Sequence, residues 1–178
     1  MIKFTDKTYE KNHFVTLENA EHRKSLLNED LEYTVKMSLP RGDYFFGSFS
    51  MNFSLNSMPG SKPLYLDFRG VQITNYKVNA KDVEYAENIF TNHLIEIPSS
   101  HLKLGENELS MDFLNKYRKD GVGLHSFIDS VDKEQYTYTQ FEADFCHYVF
   151  PNFDQPDLKA NWTLTAQVDY DWTVISNE

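Results

Sequence analysis

The stretch TQFEADFCHYVFPNFDQPDLKA, Thr139 to Ala160, gathers acids, a histidine and the sole cysteine of a 178-residue chain into one short run. Three chemistries suit these residue types. A thiol beside an imidazole, Cys146 next to His147, suggests nucleophilic catalysis, which needs a base within hydrogen-bond reach and a third group to orient it. Adjacent residues on a strand or helical turn point apart, so Cys146 reads better as a buried, inert thiol packing as a small hydrophobe. Carboxylates at Glu142, Asp144 and Asp154 are candidates for paired acid–base work, but sequence fixes no separation between them and no assignment follows. Metal binding is the third chemistry. His13, His22, His93, His101, His125 and His147 show no His-x-x-x-His spacing and no ligand spacing with the cysteine. His93 and His101 flank LIEIPSS and could meet across a hairpin, yet solvated or hydrogen-bonded strand histidines are the expected outcome, and no metal site is assigned. No glycine-rich phosphate loop or Gly-x-Ser-x-Gly elbow occurs.

The elements that must position these residues are read from periodicity. Thr16 to Asp30, TLENAEHRKSLLNED, predicts one helix, with Thr16 as N-cap, Glu18 in the first turn and a thin apolar stripe. The period then switches to two. In FSMNFSL, Phe49, Met51, Phe53 and Leu55 alternate with Ser50, Asn52 and Ser54, as a half-buried strand requires. EYTVKMSL, PLYLDF, VQITNYKV, FTNHLIEI, NELSMDFLNKY, GLHSFI and YTYTQF repeat the theme, separated by MPGSKP, FRG, PSS, KLGEN and KDGVG as turns. DLKANWTLTAQVDYDWTVISNE reads as a long strand pair. Many short strands at close spacing imply a sandwich or curved antiparallel sheet. Residues 1–30 read as an extension with its helix and residues 31–178 as one β domain.

Composition bounds the partners. A formal charge of −10, spread without a long acidic run, disfavours nucleic acid and anionic membrane surfaces. A lone cysteine permits no intramolecular disulfide, as expected for a reducing, cytoplasmic setting; association with an organelle or cytoskeletal assembly stays open. The N-terminus has no apolar signal core, and no run reaches the roughly 20 apolar residues of a membrane helix, so no membrane insertion is expected.

Tyr136 to Asn177 closely resembles the end of the N-terminal domain of the aminopeptidase N family of zinc metallopeptidases, the gluzincin aminopeptidases. The family pattern runs roughly Y-x-x-[TS]-Q-x-E-x-x-D-A-x-R-x-F-P-C-[FW]-D-[EQ]-P-D-x-K-A, followed by W-x-x-x-S-N. GVGLHSFIDSVDKEQYTYTQFE also matches that family's G-x-G-L approach to the motif. The resemblance implies an all-β fold: a saddle-shaped antiparallel β-sandwich, here with a short N-terminal helix. It implies that Gln140 lines the first substrate pocket and that Glu142 holds a peptide's free α-amino group, and it marks Phe150, Pro151, Phe153, Asp154, Pro156 and Lys159 as structural motif residues. The family's His-Glu-x-x-His zinc site belongs to another domain and no His-Glu dipeptide occurs in this sequence. No cofactor is therefore expected in this chain, zinc entering only with a catalytic domain elsewhere, and the chain alone is not expected to be an enzyme.

Two departures shape the functional expectation. Where the family has an acid and an arginine, this chain has Phe145 and Tyr148, close enough to touch on a helical turn. Exchanging both partners of a partly buried ion pair for apolar groups can be neutral or stabilising, so the double change reads as compensated. Asn152 replaces the usual cysteine, while FDQPDLKA is intact. The leading expectation is a non-catalytic domain acting as a structural or interaction subunit of a larger assembly, with a protein partner. Alternatives are the substrate-recognition domain or fragment of a cytosolic zinc aminopeptidase, and a small module that captures peptide N-termini through Glu142.

Overall fold

The structure, a computed structural model, describes residues 15–84 and 89–177. Among them, helix α1 (Leu17–Leu26) precedes eleven strands: β1 (Leu31–Leu39), β2 (Tyr44–Leu55), β3 (Leu64–Asp67), β4 (Gln72–Val78), β5 (Lys81–Asp82), β6 (Phe90–Thr91), β7 (Leu94–Ile97), β8 (Gly105–Lys116), β9 (Gly123–Ile128), β10 (Gln135–Gln140) and β11 (Ala160–Val168). His13 and the extension before residue 15 lie outside the described residues.

The expected alternation builds the core. Val35 stands opposite Phe49 and Phe49 opposite Met111, while Tyr33 faces Met51 and Met51 faces Leu109. These side chains fall on one face and are buried, whereas Glu32, Lys36, Asn52 and Glu108 on the other face are exposed. Burying each large apolar side chain stabilises by about 1.5–3 kcal/mol. The resulting six-stranded sheet runs β11-β1-β2-β8-β4-β5, and a three-stranded sheet, β3-β7-β6, covers its apolar face. Leu64, Leu66, Ile95 and Ile97 of that second layer are fully buried. Phe68 meets Phe113 across the layers edge-on at 5.8 Å, and Tyr76 Oη donates to the Glu96 carbonyl at 2.9 Å. A β9–β10 hairpin forms a separate two-stranded sheet.

Three sequence expectations are corrected. The helix stops at Leu26, short of Asp30, because the edge of β2 captures the backbone that follows: Asn28 N donates to Ser54 O and Asn56 N to Leu26 O, at 3.0 and 2.8 Å. Its cap is as expected, with Thr16 Oγ1 accepting from Asn19 N at 3.2 Å. FTNHLIEI is two strands turning at Asn92 and His93, both at positive φ. The segment expected to be a strand pair supplies only β11, and β11 runs parallel to β1 in an otherwise antiparallel fold. Beyond it Asp169 and Asp171 bind Arg41 at 2.9 and 2.8 Å, and Trp172 lies under the same guanidinium, so the chain turns back onto the β1–β2 connection.

The thin apolar stripe of α1 also finds its reason. The helix buries Arg23 beside Leu26, and the Arg23 guanidinium forms a two-pronged pair with Asp67 at 2.7 and 2.8 Å, with side-chain exposures of 4% and 1%. Charge-assisted hydrogen bonds, rather than hydrophobic area alone, fasten the helix to β3.

Candidate functional site

Alternating β-branched and aromatic residues in QYTYTQ make β10 a strand, and its pairing sets which side chains share a face. Tyr136 stands opposite Phe127, Tyr138 opposite His125 and Gln140 opposite Gly123. Ring centroids are 5.7 Å apart for Phe127 and Tyr136, 5.0 Å for His125 and Tyr138, and 6.0 Å for His125 and Phe127. The result is an aromatic ladder on the outer face, with Phe127, Tyr136 and Tyr138 each at least 39% exposed, while Leu124 and Ser126 on the opposite face are buried. The hairpin loop is held by turn hydrogen bonds from Val131 N to Asp129 Oδ1 and from Glu134 N to Asp132 Oδ1.

Gln140 continues the ladder's face at its far end, and the Gln140 carboxamide reaches the next predicted residue: its Oε1 accepts from Glu142 N at 3.2 Å. Both side chains are exposed. The structure thus places the two expected substrate-binding residues together at an open surface. The Glu142–Ala143 peptide is cis.

The chain then folds into a short 3₁₀ turn, Cys146–Tyr148. Phe145 and Tyr148 touch edge-on at 5.3 Å, as their spacing predicts. Tyr148 has further company. Arg69 Nη1 donates to its hydroxyl at 2.7 Å, and the guanidinium carbons of Arg69 and Arg118 lie 4.8 and 4.9 Å from its ring centroid. Gly123 is required beneath this stack: its φ is +64°, and a Cβ there would come within 2.8 Å of Tyr148 Cβ. Cys146 is buried, and desolvation, with the nearby Asp154 charge, pushes its thiol well above the ordinary value. A protonated, enclosed thiol is a poor nucleophile.

His147 points elsewhere. Its Nδ1 lies 2.6 Å from Asp154 Oδ2, which also accepts the His147 backbone N–H at 2.9 Å. Asp154 N in turn donates to Asp67 Oδ2 at 3.0 Å, joining this turn to the Arg23–Asp67 pair. Of the remaining motif residues, Phe150, Pro151 and Phe153 are buried: Phe150 stacks on Phe49 at 6.1 Å, and Phe153 lies under Arg23 at 5.5 Å. Pro156 and Lys159 are exposed. Asp144 is half-buried, Glu142 is exposed and Asp154 is engaged with His147. His93 is buried in its turn, and His101 bonds to Ser100 Oγ at 3.0 Å. Among the described residues no group of three His, Cys, Asp or Glu side chains is placed to hold a metal ion.

Sequence reading missed the arginines. There are four, Arg23, Arg41, Arg69 and Arg118, and each guanidinium lies over an aromatic ring. Their scarcity among seventeen cations was the available signal, because a planar fork that stacks and bonds in two prongs is not replaceable by lysine.

Comparison with known proteins gives a consistent result. The family described as Peptidase M1 N-terminal domain matches residues 6–178. Aminopeptidase N of Streptomyces lividans is 32% identical over 166 residues, covering 92% of this chain and 19% of that protein. A probable M1 family aminopeptidase of Encephalitozoon cuniculi (strain GB-M1) is 39% identical over 83 residues, 47% of this chain and 9% of its own. The structure of native leukotriene A4 hydrolase from Saccharomyces cerevisiae superposes with a TM-score of 0.61 at 15% identity, covering 93% of this chain and 28% of that one, which speaks to fold alone. The chain spans about a fifth of the length of the Streptomyces relative.

Proposed function

The chain belongs to the Peptidase M1 N-terminal domain family, and on that premise we propose that it acts as a non-catalytic structural or interaction subunit of a larger assembly. The observation that carries this reading is the ladder of His125, Phe127, Tyr136 and Tyr138, a rigid row of rings turned outward on a two-stranded sheet. Aromatic side chains offer a large contact area at little entropic cost and are enriched at protein interfaces. The altered motif supports the same reading, since Phe145 and Tyr148 replace charged residues and are absorbed into packing. A reduced, buried Cys146 fits a cytoplasmic setting, and among the described residues no helix is long and apolar enough to cross a membrane.

A second reading, substrate recognition within a zinc aminopeptidase, is favoured by one observation: Gln140 and Glu142 meet at the exposed end of the same ladder. An ionised Glu142 there would pair with a peptide's α-ammonium once a second wall excluded water.

The experiment is to isolate the native complex from its own cells and compare it with a Tyr136→Ser/Tyr138→Ser variant. The leading reading expects a fixed partner that is lost in the variant while the melting temperature stays within about 2 °C of the parent, as exposed substitutions cost little. Retention of the partner by the variant overturns docking through the ladder. Peptide hydrolysis lost on Glu142→Gln, in a polypeptide that includes a zinc domain, supports the second reading instead.

A further inference from the structure

A chain with a formal charge of −10 places four cations around one surface groove of about 380 Å³: Arg69, Lys116, Arg118 and Lys119, with Asp120 as the one acid among the lining residues. The residues lining the groove therefore carry three net positive charges in a protein of net negative charge. The groove is built rather than incidental. Its floor is Asn115, 3% exposed, whose Nδ2 donates to the carbonyls of Arg69 and Tyr148 at 3.1 and 2.7 Å. That single amide joins the end of β8, the loop after β3 and the 3₁₀ turn, so the cations are carried on a shared, rigid base.

Two of those cations are brought close by the same ring. With both guanidinium carbons within 5 Å of the Tyr148 centroid, the charges stand less than 10 Å apart, which is about one Debye length at 0.1 M salt. Asp120 offsets part of the repulsion by bonding Arg118 through Nε, at 3.0 Å, and Nη2. Burial pushes the Asp120 carboxyl up, but its bonds to Arg118 and the guanidinium charge outweigh this and hold it below the ordinary value. Arg118 Nη1 lies outside that pair. Lys119 uses one of its three donors on Ser126 O at 3.0 Å, and the exposed Lys116 holds its Nζ over the Tyr44 ring at 5.6 Å.

We propose that this groove binds the carboxylates of an acidic peptide segment. Asp120 shows that a carboxylate fits the Arg118 fork, and the flexible ammoniums of Lys116 and Lys119 adapt to carboxylates of variable spacing. The groove focuses positive potential locally, while the chain's overall negative charge repels a long polyanion such as nucleic acid. Asp120 also disfavours a phosphate dianion more than a single carboxylate. The proposal is independent of docking through the aromatic ladder.

The test uses the full 178-residue chain, an N-acetylated, C-amidated hexaglutamate peptide, its hexaglutamine counterpart and inorganic phosphate, with backbone amide NMR shifts as the readout. Hexaglutamate is expected to give saturable shifts at Arg118, Lys119 and Asp120. Its affinity should fall about tenfold in Lys116→Gln/Lys119→Gln, and about tenfold again when NaCl rises from about 50 to about 300 mM. The proposal is overturned if hexaglutamate fails to saturate at millimolar concentration, or if hexaglutamine shifts the same amides equally. It is also overturned if the double variant, folded by its unchanged spectrum elsewhere, binds as well as the parent, or if phosphate binds more tightly than hexaglutamate.

Discussion

Removing one partner of the Arg23–Asp67 pair should damage the fold far more than a surface ion pair would. Arg23→Ala deletes two hydrogen bonds of 2.7 and 2.8 Å and the ring contact with Phe153, leaving the Asp67 carboxylate at 1% exposure with its bond from Asp154 N. An exposed pair contributes about 0–1 kcal/mol, whereas a buried charge deprived of its partner costs about 3–5 kcal/mol. The second figure applies here, and it is a large share of the roughly 5–15 kcal/mol by which a domain is stable. Urea unfolding followed by far-UV circular dichroism and by tryptophan fluorescence should show a lower midpoint with an unchanged slope. Arg23→Met/Asp67→Leu should recover part of the loss by removing both charges, though not all, because the Asp154 amide then lacks its acceptor. A loss below about 1 kcal/mol for Arg23→Ala would refute the claim that charge-assisted bonds fasten α1.

Tyr148→Arg should destabilise by about 2 kcal/mol or more, since it removes two cation–π contacts and adds a third guanidinium beside Arg69 and Arg118; adding Phe145→Asp should recover only part of this, and a double variant melting well above the parent would contradict compensated packing. Gly123→Ala should cost about 1–3 kcal/mol by thermal denaturation, from the clash with Tyr148 and the positive φ. Cys146 should resist a thiol-disulfide reagent at mildly alkaline pH in the native protein and react at once in urea, because its thiol is buried and held protonated. The Asp120 carboxyl is depressed in the folded state, so its contribution is present above the unfolded value of 3.8 and lost as pH falls through the folded one; Asp120→Asn should therefore flatten the acid limb of a stability–pH curve and leave its shape near neutrality unchanged.

Strand periodicity carried most of the fold. Phe49, Met51, Phe53 and Leu55 are buried together because a two-residue repeat has only one way to meet a core. The errors came where tertiary contacts override local pattern. The helix ends four residues early because β2 takes its backbone, and the segment after β11 forms no second strand, its acids binding Arg41 on another connection instead. The motif located Gln140 and Glu142, but their proximity depends on a turn after β10 that no periodicity signals. The arginine pairs were illegible for a simpler reason: Arg23 and Asp67 are 44 residues apart, and nothing local in either neighbourhood names the other.

The account's central claim, that this domain works by docking rather than by catalysis, is tested most directly by the intact mass of the native polypeptide together with the mass of the complex it occupies. The account predicts an assembly of fixed composition that the protein enters through its aromatic ladder and that removes no N-terminal residues from peptides. A longer polypeptide that continues into a His-Glu-x-x-His zinc domain and removes N-terminal residues from peptides would contradict it.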